Sequence, residues 1–247
     1  MTGKMKRLKF IKKLFGKKEI APRCSAVIVA AGSSTRMGED KMFMQLGDMP
    51  VLARTLKVFE SCRAVEEIIV VTRSEKLTEV ADMCKQYGIS KASKVIIGGK
   101  TRVESSLAGA SEVKSDAEII AIHDGARPLV TEDIIEKTVE AVTKYPAAAP
   151  AVKSTDTLKR IDEKGFAVKT VDRNATVRIQ TPQVFRADII KGALSKAVRD
   201  NSPITDDCSA IETFGMKIFL TEGSEDNIKL TTARDMIIAE TVLKSRE

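Results

Sequence analysis

Small residues and fixed cations follow one another in Ala30-Ala31-Gly32-Ser33-Ser34-Thr35-Arg36-Met37-Gly38, with Lys41 close behind, directly after the apolar run Ala26-Val27-Ile28-Val29. A turn of this kind lets backbone N–H groups approach phosphate oxygens closely, and Arg36 and Lys41 add positive charge from the same loop. It is a candidate phosphate cradle at a strand end. It is not a Walker A loop, since no Gly-Lys-Ser/Thr closes it, nor a G-x-G-x-x-G dinucleotide fingerprint. Taken alone, the stretch fits an ordinary strand-to-loop turn with solvated charges equally well.

Further segments fall in one order along the chain: Gly98-Gly99-Lys100-Thr101-Arg102, His123-Asp124-Gly125-Ala126-Arg127-Pro128, Thr155-Asp156-Thr157-Leu158-Lys159, Thr170-Val171-Asp172-Arg173-Asn174, Gln180-Thr181-Pro182-Gln183 and Asp226-Asn227-Ile228-Lys229-Leu230-Thr231. Together with the opening loop they resemble the 2-C-methyl-D-erythritol 4-phosphate cytidylyltransferases of the non-mevalonate isoprenoid pathway. The resemblance runs from about Ser25 to the C-terminus, and its specificity lies in the combination rather than in any one segment.

The resemblance implies backbone contacts from Ala30, Ala31 and Gly32 to the ribose and phosphates of CTP, with Arg36, Lys41 and Lys229 as the catalytic cations on the triphosphate. It makes Gly99 and Ser105 the pair that reads the cytosine, and Asp124 the acid near both a Mg²⁺ ion and the sugar-alcohol phosphate. Arg127, Thr157, Lys159 and Arg173 match positions around that second substrate, some reaching across a homodimer. Each has a plainer reading: Ser105 as a helix-surface serine, Asp124 as a turn residue, Lys229 as a strand-end lysine, the others as surface ion-pair residues. Three departures stand out. Gly125 replaces the usual alanine before Ala126-Arg127-Pro128, Lys100 stands where an acid is common, and Thr101-Arg102-Val103-Glu104 keeps only the arginine of the usual pattern. A ribitol-5-phosphate cytidylyltransferase is the nearest rival, and a silent nucleotide-binding protein of the same fold is another.

Joining a phosphate monoester to the α-phosphorus of a nucleoside triphosphate brings two anions together, so cations and alignment are what the site must supply. The attacking phosphate has a second pKa of about 6 and is ionised at neutral pH, so the reaction needs no general base. That suits a chain with one histidine, His123, which reads as structural.

The chain has 247 residues, 43% of them hydrophobic, enough for one full core. Its formal charge of +7 is concentrated at the start. Residues 1–23 hold nine Lys or Arg and one acid, a net of +8, which leaves the remainder at −1. With no Trp, six Phe and two Tyr, that remainder lacks the basic and stacking surface of a nucleic-acid binder. The basic extension interleaves Leu8, Phe10, Ile11, Leu14 and Phe15 with lysines, a pattern for contact with an anionic membrane surface, although a solvated extension is the favoured reading. Four separated cysteines with no C-x-x-C pair point to a reducing cytoplasm and exclude the common zinc motifs.

The elements that must carry these residues alternate. Strands are read at 26–30, 67–72, 94–97, 118–122 and 147–152, and helices at 50–61, 74–87, 102–113 and 131–144. Pro50 suits a first helical position, and Ser74, Thr101 and Thr131 suit helix caps. The alternation predicts an α/β fold: a Rossmann-like, mostly parallel sheet with helices on both faces, in one domain spanning 24–247. Ligands bind beyond the carboxyl ends of such strands, where the Gly32, Gly99 and Asp124 segments fall. Around 155–174 the pattern becomes two short strands about Asp162-Glu163-Lys164-Gly165, a hairpin arm that needs covering, by a second subunit if the resemblance holds. A strand at 177–180, helices at 187–199 and about 207–214, a strand at 217–220 and a helix from about 232 complete the chain.

Overall fold

Strands with no polar face must be covered on both sides, and the apolar runs of this chain form such strands. The computed structural model describes residues 23–32 and 40–246. Residues 1–22 of the basic extension and the loop residues Ser33, Ser34, Thr35, Arg36, Met37, Gly38 and Glu39 lie outside the described residues. In chain order come β1 (Cys24–Val29), a small ribbon of β2 (Gln45–Leu46) and β3 (Met49–Pro50), α1 (Val51–Ser61), β4 (Val65–Thr72), α2 (Leu77–Gln86), β5 (Ala92–Ile97), α3 (Arg102–Glu112), β6 (Ile119–Asp124), α4 (Glu132–Val142) and β7 (Ala147–Lys153). The arm strands β8 (Lys159–Ile161) and β9 (Ala167–Thr170) follow, then β10 (Val177–Ile179), β11 (Gln183–Arg186), α5 (Ala187–Arg199), α6 (Asp207–Glu212), β12 (Phe219–Glu222) and α7 (Ala233–Lys244).

The central sheet runs β10-β7-β11-β6-β1-β4-β5, with β12 also on β7. β5, β4, β1 and β6 are mutually parallel, and β11 lies antiparallel between β6 and β7. Successive residues of each strand point to opposite faces and meet different helices. Ala26, Ile28, Ile68 and Val70 pack under α1, α2 and α4, whereas Val27, Ile69, Val71 and Ile122 pack under α3, α5 and α6. A third cluster, Leu46, Val51, Leu129, Leu230, Met236 and Ala239, seats α7 against the β2–β3 ribbon.

The expected mostly parallel sheet with helices on both faces is present, with local differences. Pro50 ends β3, one residue ahead of α1, because its φ and ψ of −59° and 150° are extended. Ser74 opens a 3₁₀ turn over Ser74–Lys76, and the helix proper starts at Leu77. β11 is an added strand, too short to show periodicity. It is held by ladders on both edges, through Val184 to Ala121 and Ala148 and through Phe185 to Ile120 and Ala147.

Candidate active site

Parallel pairing aligns the carboxyl ends of the strands, so the residues beyond them share one edge. Val29 lies in register with Asp124 on one side and with Val71 on the other. The chain crosses that edge closely: Gly98 N–H donates to the Thr72 carbonyl at 2.8 Å. A Cβ on Gly98 would stand 2.7 Å from both Ala31 Cβ and Ser105 Oγ, so the approach of these segments requires glycine. α3 then starts with both halves of a capping box. Thr101 Oγ1 accepts from Glu104 N–H at 3.2 Å, and Glu104 Oε2 accepts from Thr101 N–H at 3.0 Å.

These segments wall a cleft of about 660 Å³ lined by Ala31, Gly32, Lys41, Arg73, Glu75, Gly98, Gly99, Lys100, Thr101, Arg102, Ser105, Asp124 and Lys229, among others. Five of the named residues are cationic and two acidic, the balance an anionic ligand needs. A larger hollow of about 1170 Å³ lies at the opposite ends of the strands, beside Glu118 and Arg186. Glu136, Glu140 and Asp188 offset Arg63 and Lys144 there, so it presents no single-signed field.

Asp124 forms the floor. Its Oδ2 is 3.0 Å from Lys229 Nζ and 3.5 Å from Arg127 Nε, and its Oδ1 is 3.4 Å from Arg102 Nη2. Burial opposes its charge, but Arg102, Lys229 and Arg127 outweigh that and hold the carboxyl far below its usual range. Arg102 also lies 2.8 Å from the fully buried Asp207. Burial works against the Arg102 charge too, yet Asp207 and Asp124 reverse the effect and bind its proton more firmly.

His123 supports this floor from behind. Its Nε2 is 3.2 Å from the Arg127 carbonyl, which only accepts, so Nε2 carries the hydrogen. Nδ1 then accepts from Thr181 Oγ1 at 3.0 Å, and the same hydroxyl oxygen accepts from Asp124 N–H at 3.1 Å. Burial drives the imidazole pKa down to about 3, so the ring stays neutral. The loop bearing Lys229 is tied to the same floor. Arg127 Nη1 donates to the Asn227 carbonyl at 2.7 Å, Asn227 Nδ2 to the Thr181 carbonyl at 3.0 Å, and Leu230 N–H to the Ala126 carbonyl at 2.8 Å.

Of the residues singled out in the sequence, Ala31, Gly32, Lys41, Gly99, Ser105, Asp124 and Lys229 line the cleft. Ala30 lies just behind, its N–H on the Val71 carbonyl at 2.7 Å. Arg127 is turned inward as a brace rather than outward into the cleft. Ser105 Oγ donates to the Thr101 carbonyl at 3.0 Å. Thr157, Lys159 and Arg173 do not reach the cleft of their own chain. The first two are exposed on or beside β8, with Lys159 Nζ on Thr170 Oγ1 at 2.6 Å, and Arg173 opens a 3₁₀ turn over Arg173–Ala175. Arg36 lies outside the described residues. Arg102, Thr181 and Asn227 lie in segments picked out along the sequence but were given no role there, and Asp207 lies in none of those segments; the structure links all four to the floor of the cleft.

Residues 24–245 match the family described as IspD, 2-C-methyl-D-erythritol 4-phosphate cytidylyltransferase. A relative of that description from Clostridium botulinum (strain 657 / Type Ba4) is 41% identical over 222 residues, covering 89% of this chain and 97% of the relative. One from Caldanaerobacter subterraneus subsp. tengcongensis is 43% identical over 224 residues, covering 89% and 98%. Among solved structures, 4-diphosphocytidyl-2C-methyl-D-erythritol synthase from Anaerococcus prevotii superposes with a TM-score of 0.81 at 31% identity, over 91% of this chain and 99% of that one.

Proposed function

The chain belongs to the 2-C-methyl-D-erythritol 4-phosphate cytidylyltransferase family, and we infer that its cleft joins CTP to 2-C-methyl-D-erythritol 4-phosphate. The products are 4-diphosphocytidyl-2-C-methyl-D-erythritol and pyrophosphate, a step of isoprenoid precursor synthesis. A phosphate oxygen of the acceptor attacks the α-phosphorus, and the bond from that phosphorus to the bridging oxygen breaks. Pyrophosphate leaves with the electron pair. No proton has to be removed, in keeping with a neutral, buried His123.

The observation that carries this reading is the convergence of Lys229, Arg102 and Asp124 with the Gly98–Thr101 turn on one cleft. Lys41 and Lys229 neutralise the triphosphate and gain interaction as charge builds at the α-phosphorus. Backbone at Ala31, Gly32 and Gly99 leaves room for ribose and base, with Ser105 beside them and Ala30 just behind. The family resemblance adds Arg36, which lies outside the described residues, to these cations. Mg²⁺ fits the donor set, since it is commonly held by one or two carboxylates plus substrate phosphates, and Asp124 is an ionised carboxylate at the floor. When bound, the ion would draw charge from the phosphates.

The arm supports a homodimer. Ile161, Phe166 and Val168 are 60–67% exposed on it, more apolar surface than an isolated hairpin keeps in water. A second subunit covering it would bring Thr157, Lys159 and Arg173 toward the acceptor phosphate of its partner. A cytoplasmic location accords with four free, buried cysteines. Among the described residues no helix is long and apolar enough to cross a membrane.

Pyrophosphate release measured with each nucleoside triphosphate against methylerythritol phosphate and ribitol 5-phosphate tests the reading. Turnover is expected with CTP and methylerythritol phosphate in the presence of Mg²⁺. Absence of release from that pair, or an equal rate with ribitol phosphate, would overturn the substrate assignment.

A further inference from the structure

A carboxylate with 0% exposure is costly unless something in the fold uses it, and Asp207 is such a group. It is the first residue of α6, whose start is fixed on both sides. Gln183 Oε1 accepts from Cys208 N–H at 2.9 Å, Gln183 Nε2 donates to Asp206 Oδ2 at 2.6 Å, and Asp206 Oδ1 accepts from Ser209 N–H at 2.9 Å. The carboxylate is thereby delivered to a set position. Arg102 Nη2 lies 2.8 Å from it and 3.4 Å from Asp124 Oδ1. Arg102 lines the cleft, and Asp207 stands behind it. A guanidinium on a long flexible stem loses rotamer freedom when it orders, and a buried carboxylate that orders it beforehand removes that cost from substrate binding.

We propose that Asp207 is a positioning residue of the nucleotide cleft: it anchors Arg102 so that the guanidinium stands beside Asp124 and presents its remaining N–H groups to the triphosphate. The proposal rests on the reading of the cleft given above. Asp207 touches no substrate and acts through Arg102 alone.

Asp207→Asn keeps the shape and removes the charge. It should lower kcat/KM for CTP by roughly 10–100-fold, the usual effect of losing a group that orients a functional side chain. Arg102→Gln should cost at least as much, and adding Asp207→Asn to Arg102→Gln should cost nothing further, because the residue it positions is already gone. The double variant removes both charges of the pair, so the comparison of Arg102→Gln with the double variant stands even where Asp207→Asn alone does not fold. A loss from Asp207→Asn that is the same in both backgrounds would overturn the proposal. Nitrogen-15 NMR of the Arg102 Nε–H in the substrate-free protein gives a second readout: a resolved signal in the unmodified protein should broaden or move in Asp207→Asn, and an unchanged signal would also overturn it. An NMR change together with no turnover of CTP and methylerythritol phosphate by the unmodified protein would uphold the anchoring of Arg102 and overturn the substrate assignment instead.

Discussion

Asp124 answers to Lys229, Arg102 and Arg127 at once, and an anion entering the cleft competes with it for the same cations. Losing one such cation costs on the order of 100–1,000-fold in turnover when its interaction strengthens in the transition state. Lys229→Ala and Lys41→Ala are each expected to show a loss of that size in pyrophosphate release at saturating CTP, with circular dichroism unchanged. Near wild-type turnover in either variant would remove that lysine from the chemistry. His123 gives a prediction in stability rather than rate. Its imidazole is neutral when folded, with a pKa of about 3, and takes up a proton near pH 6.5 once unfolded. Acid therefore favours the unfolded chain, and this contribution should lower stability by about 1.5 kcal/mol between pH 6.5 and pH 5. Urea melts at the two pH values should show the drop, and His123→Gln should flatten it even if that variant is less stable throughout. At this scale the sequence was legible wherever function rests on local runs, as in Gly98-Gly99 and His123-Asp124. Asp207 was not, nor was the bracing role of Asn227 within a segment that did stand out, because both depend on partners separated from them along the chain.

α3 is the element that turns a sheet edge into a wall of the cleft. Thr101 caps it, Arg102 leaves its first turn for the floor, and Ser105 faces the turn at Gly98. Its depth on the sheet is set at Gly109, where a Cβ would stand 2.3 Å from Val27 Cγ1 and 2.8 Å from Val71 Cγ2. Both neighbours are fully buried β-branched side chains with little room to yield. Alanine is the better helix former by about 1 kcal/mol, yet overpacking a close contact of this kind costs more. Gly109→Ala should therefore destabilise the protein by about 1–2 kcal/mol in chemical denaturation and raise KM for CTP as α3 lifts. A variant as stable as the parent would show that the helix is not seated this tightly. The caps at Thr101 and Thr131 were readable because capping is a local hydrogen-bond problem. β11 was not, since a four-residue strand owes its conformation to the neighbours on its two edges rather than to its own pattern.

At the scale of the whole molecule, the sheet and cleft stand within one chain while the arm reaches away from them. β8 and β9 pair with each other, and every residue of both strands is exposed. A two-stranded ribbon of this size is marginal in water by itself, and the homodimer proposed above would cover it. If the arm of one subunit completes the acceptor side of the other's cleft, the cleft lysine and the arm belong to the same site but to different chains. A Lys229→Ala homodimer then has two sites without the lysine, and a Thr157→Ala homodimer has two without the arm contact. A mixed dimer has one site lacking both and one lacking neither. Mixing equal amounts of the two variants and allowing subunits to exchange should restore activity in proportion to the mixed dimers formed, toward one intact site in each. Shortening the hairpin around Gly165 should weaken the dimer in sedimentation and lower turnover together. An active monomer at assay concentration would overturn the arrangement, as would complete subunit exchange without recovery from two severely impaired variants.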